Sequence, residues 1–280
     1  MTQLQPLFKN TVSRLKEAGI DTPELDARIL LAHVLGEDAA SLNLLADKTV
    51  DVDQLESLVQ LRLARKPIAK IMGEKEFWSL PFHTNEHTLD PRPDSEVLIE
   101  QILAHFKTAH APQTILDLGT GTGCLLLTLL TEFADAKGVG ADLSPDALAV
   151  AERNMQRHGL ESRAQLVQSD WFENISGQFD LIVSNPPYIQ MDEKSDLAPE
   201  VSNFDPALAL YAEETGLACY RKILAEVRDY LVRGGTLVFE IGHTQAKDLV
   251  SMGQAAGFSH LKTAQDYGGR DRVVIFQYSI

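Results

Sequence analysis

Cysteine is scarce: Cys124 and Cys219 are the only two among 280 residues. Without C-x-x-C spacing they exclude a disulfide framework and a cysteine-built zinc site. No apolar run approaches the roughly 18 residues that a membrane span needs. Met1-Thr2-Gln3-Leu4-Gln5-Pro6 has no charged stretch followed by an apolar one, so no leader is read there. No membrane partner is expected, and a cytoplasmic location is the expectation. Positive charge is also short, with 25 Lys and Arg against 40 Asp and Glu and a net charge of −15. That balance opposes a phosphate-tracking surface, because nucleic-acid affinity comes mainly from Lys and Arg neutralising phosphates. Direct nucleic-acid binding is therefore not expected. There is no G-x-S-x-G nucleophile elbow. His83 and His87 stand four apart without a third ligand or an H-E-x-x-H pattern, so no metal is expected.

What remains is an ordinary globular composition, 44% hydrophobic and 23% charged, at a length that suits about two domains. The first 75 or so residues read as helices. Leu4, Leu7, Phe8, Val12 and Leu15 fall near helical spacing, with Gly19 as a stop. Thr22 is an expected N-cap with Pro23 in the first helical position, and Gly36 ends that helix. Asp53 with Glu56 resembles a capping box for a third helix, closed by Arg65-Lys66-Pro67. The aromatic, β-type stretch Phe77-Trp78-Ser79-Leu80-Pro81-Phe82 predicts a short hairpin, and residues 94–106 predict a helix. Beyond residue 111 strands alternate with helices. Strands are predicted at 114–118, 138–142, 164–168, 179–184, 236–241, 261–263 and 273–277. Strands separated by helices imply an α/β, parallel, doubly wound sheet whose ligands sit at the carboxyl ends of its strands.

Those ends carry chemistry in two groups, one for a cofactor and one for a substrate. The first is Asp117-Leu118-Gly119-Thr120-Gly121-Thr122-Gly123-Cys124. Its glycines allow a tight turn and close approach of a ligand to the backbone. Gly119 and Gly121 fit the dinucleotide pattern, but Cys124 occupies its third glycine position, and no Lys-Ser/Thr follows to make a P-loop. An acid two residues before the first glycine suits a cofactor with an amino-acid portion, Asp117 facing its ammonium. Asp142 ends the next strand, where a carboxylate can accept ribose hydroxyls. Nicotinamide cofactors and S-adenosylmethionine both need that contact. Asp170-Trp171 follows the third strand, where an adenine could meet a carboxylate and an aromatic face.

The second is Asn185-Pro186-Pro187-Tyr188, a stiff loop rich in bare carbonyls at the end of an apolar strand. It suits a planar NH2 group, a poor nucleophile with two N–H donors. The Asn185 oxygen and the Pro186 carbonyl could accept both, aiming the nitrogen at a cofactor methyl that a sulfonium already makes electrophilic. Orientation of this kind is worth up to roughly 7–11 kcal/mol. Tyr188 could cover one face of the group. Cys124 lies inside the cofactor loop and is read as packing. The same chemistry serves a glutamine amide or an exocyclic base amine.

The chain resembles the release factor glutamine methyltransferases. The resemblance runs from about Pro67 to the end, through Gly73-Glu74-Lys75-Glu76-Phe77-Trp78, Pro91-Arg92-Pro93-Asp94-Ser95-Glu96, the glycine loop, Ser169-Asp170-Trp171-Phe172, Asn185-Pro186-Pro187-Tyr188-Ile189, Phe204-Asp205-Pro206 and Gly269-Arg270-Asp271-Arg272-Val273. It implies a Rossmann-like class I methyltransferase sheet at 94–280, a β-hairpin linker at 76–93 and a small helical substrate-docking domain at 1–75. It implies S-adenosylmethionine as cofactor, held by residues 119–123, Asp142 and Trp171, with residues 185–188 holding the glutamine of the Gly-Gly-Gln loop of class I peptide chain release factors. One departure is Asp90, where the family usually carries an apolar residue. The rival readings are a nucleic-acid methyltransferase acting on a base amine, an NAD-dependent oxidoreductase, which the glycine spacing opposes, and a non-enzymatic adapter, which leaves both loops unexplained.

Overall fold

The structure, a computed structural model, describes residues 4–44 and 48–278. Met1-Thr2-Gln3, read above for a leader, lie outside the described residues. The chain divides into two compact units, one of residues 1–73 with 198–204, the other of residues 74–197 with 205–280.

The first unit is helical: α1 Leu4–Glu17, α2 Pro23–Leu35, α3 Val52–Leu63 and α4 Ile68–Met72. Leu4, Leu30, Leu31, Leu55 and Val59 form its core. Two caps differ from their sequence reading. Thr22 makes no side-chain cap; its hydroxyl donates to Asp26 Oδ1 at 2.9 Å. The third helix is capped by Asp51, which accepts from the Gln54 amide at 3.0 Å, and Glu56 instead pairs with Arg14 at 2.6 Å. A six-residue helix from far down the chain, residues 199–204, clusters with this unit, and Arg62 holds both Asp26 at 2.6 Å and Glu200 at 3.0 Å.

The second unit opens with a hairpin of β1 Glu74–Phe77 and β2 Leu80–His83. Its two-residue turn needs positive φ at both positions, and Trp78 and Ser79 supply it at 54° and 59°. Glu96 pins the turn by accepting from the Trp78 amide at 2.9 Å, and Glu132 accepts from its indole at 2.7 Å. The elements that follow are α5 Pro93–Phe106, β3 Thr114–Leu118, α6 Cys124–Glu132, β4 Lys137–Asp142, α7 Pro145–Arg157, β5 Ala164–Gln168 and β6 Phe179–Ser184. After α8, the Pro199–Phe204 helix already met, come α9 Ala207–Leu210, α10 Glu213–Gly216, α11 Ala218–Tyr230, β7 Leu231–Glu240, α12 Ala246–Ala255, β8 Phe258–Gln265 and β9 Asp271–Tyr278.

Seven strands form one sheet in the order β5-β4-β3-β6-β7-β9-β8. The strands through β7 pair in parallel, but β9 runs antiparallel to both β7 and β8. The sheet is therefore mixed, not wholly parallel. The connection from β8 to β9 is a tight turn, too short for the crossover that parallel pairing requires. Side chains alternate across the sheet. Ile115, Leu181, Val183, Val238 and Ile275 face α5 and α6, while Leu116, Ile182, Leu237, Phe239 and Phe276 face α11 and α12. Strand order reverses at β3, whose neighbours are β4 and β6, so the crevice at its carboxyl end is where a ligand belongs. No described helix is long and apolar enough to cross a membrane.

Candidate active site

A cavity of about 360 Å³ opens at those carboxyl ends, within the roughly 300–1,000 Å³ range of small-molecule sites. Gly119, Thr120, Gly121 and Thr122 line it from β3, Asp142 from β4, Asp170 and Trp171 from β5, and Asn185 and Pro187 from β6. The parallel register of these four strands gathers at one edge residues that lie far apart in sequence.

The glycine loop is held by the chain's own backbone. The amides of Gly119 and Thr120 both donate to the Ala141 carbonyl, at 2.8 and 2.9 Å. Gly123 has φ +80° and sits so close to α6 that an added Cβ would come 3.1 Å from Leu127, so it shapes the loop from behind and does not line the cavity. Asn154, fully buried on α7, donates to the Thr122 carbonyl at 2.8 Å and bonds His83 through both ends of its amide. It ties the loop to the hairpin, a role no local sequence signal announced. Asp142 accepts from the Gly121 amide at 2.8 Å and from the Ser144 amide at 2.9 Å, and Ser144, not Asp142, caps α7. Each Asp142 oxygen keeps a second lone pair for a ligand hydroxyl. Burial raises the pKa of Asp142, against the pull of those amides.

Asp117, read above as facing an ammonium, stands one side chain behind the wall. It is fully buried, and Thr120 Oγ1 donates to its Oδ2 at 2.6 Å. Its Oδ1 has no hydrogen-bond partner among the described residues. Burial pushes the carboxyl up to about 7, opposed by the Thr120 hydroxyl and the Leu126 amide. An orphaned buried carboxylate oxygen fits a cofactor that brings its own positive charge.

Trp171 lines the cavity with φ +49° and packs its other side on the α11 core. Cys124 also reaches the wall, but burial pushes its thiol up to about 12, which leaves it inert. Asp90, the departure noted in the sequence, is buried and accepts from the Thr84 hydroxyl at 2.6 Å, so a polar pair occupies the apolar position. The linker also contributes Leu89 and Arg92 to the lining, Arg92 paired with Asp205 at 2.5 Å.

In the second loop Pro186 is buried, and Tyr188 does not line the cavity. The Tyr188 ring packs against the core beneath α11, its hydroxyl accepting from Arg272 at 3.5 Å. Burial pushes that hydroxyl up to about 12. The Tyr188 carbonyl accepts from Gln245 Nε2 at 3.1 Å. Tyr188 is thus an anchor for its loop. Gly216, with φ +77°, packs against the same carbonyl: an added Cβ would lie 2.2 Å from Tyr188 O. Gly216→Ala is expected to cost about 1–2 kcal/mol in backbone strain alone and to displace the loop. Turnover should fall more than the melting temperature suggests, checked by assaying kcat beside thermal unfolding.

Residues 7–73 match the family described as PrmC N-terminal domain, and residues 87–201 that described as Methyltransferase small domain. A release factor glutamine methyltransferase of Agrobacterium fabrum is 43% identical over 94% of this chain and 93% of its own length. Another, of Cereibacter sphaeroides, is 44% identical over 95% of each. A bifunctional methyltransferase of Rickettsia typhi is 36% identical over 97% of this chain, which spans 56% of that longer protein. Among solved structures, a Pyrococcus furiosus methyltransferase shares the fold with TM-score 0.55 at 20% identity, covering 80% of this chain and 98% of that one. A ribosomal protein L11 methylase of Lactobacillus delbrueckii does so with TM-score 0.52 at 16% identity, covering 69% and 82%. The second unit has the Rossmann-like class I methyltransferase fold, and the chain also has an N-terminal helical region. The chain belongs to the release factor glutamine methyltransferase family and is an S-adenosylmethionine-dependent methyltransferase.

Proposed function

We propose that the protein methylates the side-chain amide nitrogen of the glutamine in the Gly-Gly-Gln loop of class I peptide chain release factors. The observation that carries this reading is one cavity lined both by the glycine loop with Asp142 and by Asn185. A cofactor and a planar amide can meet there.

S-adenosylmethionine supplies a methyl group already activated by the positive sulfur. The chain's residues supply position. Asp142 and the glycine loop hold the nucleoside, Asp170 and Trp171 border the adenine, and the Asp117 carboxylate complements the ammonium. Asn185 Oδ1 and the Pro186 carbonyl accept the two N–H groups of the glutamine amide. That fixes the plane of the amide and leaves the nitrogen's out-of-plane lobe facing the methyl group. The helical unit, similar to the PrmC N-terminal domain, serves as the docking element for the release factor.

The test is incubation of the purified protein with methyl-labelled cofactor and, separately, a release factor, tRNA, rRNA and DNA. One methyl group on the loop glutamine, located by mass spectrometry, is the expected result. A release factor with that glutamine replaced should take no label. Label in nucleic acid alone would overturn the reading.

A further inference from the structure

A side-chain amide has two ends of nearly equal shape and opposite chemistry: Oδ1 accepts and Nδ2 donates. Asn185 serves as an acceptor for a substrate N–H only with Oδ1 toward the cavity. Something must choose that end.

The choice lies on the neighbouring strand. β6 and β7 pair in parallel, with Ser184 opposite Phe239, so Asn185 follows alongside Glu240. Burial pushes the Glu240 carboxyl up to about 7, while Ser95 and the Asn185 side chain, which the register sets beside it, pull it back toward the anion. A neighbour that favours the anion does so by donating to it, so the Asn185 atom facing Glu240 is Nδ2, and Oδ1 is the end left free. Ser95 Oγ donates to Glu240 Oε2 at 2.5 Å, fixing the carboxylate in turn, and Ser95 itself lines the cavity.

Packing gives no reason for an acid here. Leu237, Val238 and Phe239 are fully buried on the same strand, and Glu240 is 2% exposed. Burying a carboxylate in such a place costs several kcal/mol, where an apolar residue of similar size costs nothing. Nor does the neighbouring cation require it. Arg272 already has Asp266 at 3.1 Å and Asp94 at 3.4 Å. The other titratable groups near the carboxylate are Cys124, Tyr188 and Tyr220, the last donating to the Glu240 backbone carbonyl at 2.9 Å.

We propose that Glu240 is a positioning residue for methyl transfer: it clamps Asn185 Nδ2 and so presents Oδ1 to the substrate amide. This rests on the reading of Asn185 as the amide acceptor.

The test is a double-mutant cycle on the full chain with E240L, N185A and the pair, and with E240Q as the conservative variant. Turnover, KM for the release factor and cofactor Kd are read for each. E240L is expected to lower kcat about 10–100-fold, as a misplaced reacting group does, with cofactor Kd within about threefold. E240Q keeps an acceptor for Nδ2 and should retain most of the activity. In the N185A background, E240L should cost nothing further, because the group it positions is gone. Equal losses from E240L with and without Asn185 would overturn the proposal and make Glu240 mere scaffold. So would a folded E240L with undiminished turnover. If E240L unfolds on purification, E240M carries the same comparison. An active N185A would instead sink the reading of Asn185, so the two failures are distinct.

Discussion

Asn185→Ala is expected to lower turnover by about 10²–10³-fold, the loss seen when one oriented polar group is removed from an active site. Cofactor Kd should stay within about threefold, because the backbone and carboxylate contacts of the glycine loop and Asp142 remain. The reaction needs no strong base before attack, since the electrophile is already activated; the C–S bond breaks as the N–C bond forms, and the methylated nitrogen then sheds one N–H proton to solvent. The reaction needs an amide nitrogen held at the right distance with its plane fixed, and a single acceptor cannot fix a plane. Asn185 lines the cavity between the cofactor loop and Pro187, while Tyr188 is turned away into the core. Loss of Asn185 therefore leaves the substrate amide free to rotate. Single-turnover rates with saturating cofactor, set beside cofactor Kd by calorimetry, separate the two effects. A variant with unchanged kcat would remove Asn185 from its role.

Much of this architecture was legible because it is periodic. Apolar stretches of strand length, separated by helical ones, mark the strands from β3 to β6 to within a residue, whereas β7 begins at Leu231, ahead of the predicted 236. Glycines and prolines marked the two functional loops. What escaped has no local pattern. Glu240 and Gln245 are single polar residues at the end of a strand and just beyond it, and only the pairing of β6 with β7 brings them beside residues 185–188. Asn154 reads as an ordinary polar position on an amphipathic helix until the hairpin and the glycine loop are folded around it. Gly216 reads in sequence as the start of a helix over 216–231, and its closeness to the Tyr188 carbonyl is a tertiary fact. Residues 199–204 likewise cluster with the first unit, where Glu200 pairs with Arg65 and with Arg62, 138 positions away in sequence. The antiparallel end of the sheet is not written in strand periodicity, which carries no direction. Only the short connection at 266–270 does.

Asp117→Asn should weaken cofactor binding and flatten its pH dependence. The sign follows from the charge on each partner. Free Asp117 titrates near 7, because burial disfavours its anion. A cofactor ammonium binds the anion, so above pH 7 binding costs no proton release. Below pH 7 each binding event must expel a proton, and Kd should rise by up to tenfold per pH unit. The ammonium itself is an α-amino group that loses its charge near about 8. Affinity should therefore be greatest between about pH 7 and 8 and decline on both sides. The variant keeps an oxygen for the Thr120 hydroxyl but has no charge to give. Its Kd at pH 7.5 should be higher by about 10–100-fold, the worth of a buried charge-assisted hydrogen bond of roughly 1.5–3 kcal/mol. Its acid limb should be shallower than the wild type's. Asp142 also has a raised pKa and remains in both proteins, so the difference between the two profiles isolates Asp117. Parallel profiles for wild type and variant would show that the orphaned oxygen at Asp117 meets no charge when the cofactor binds.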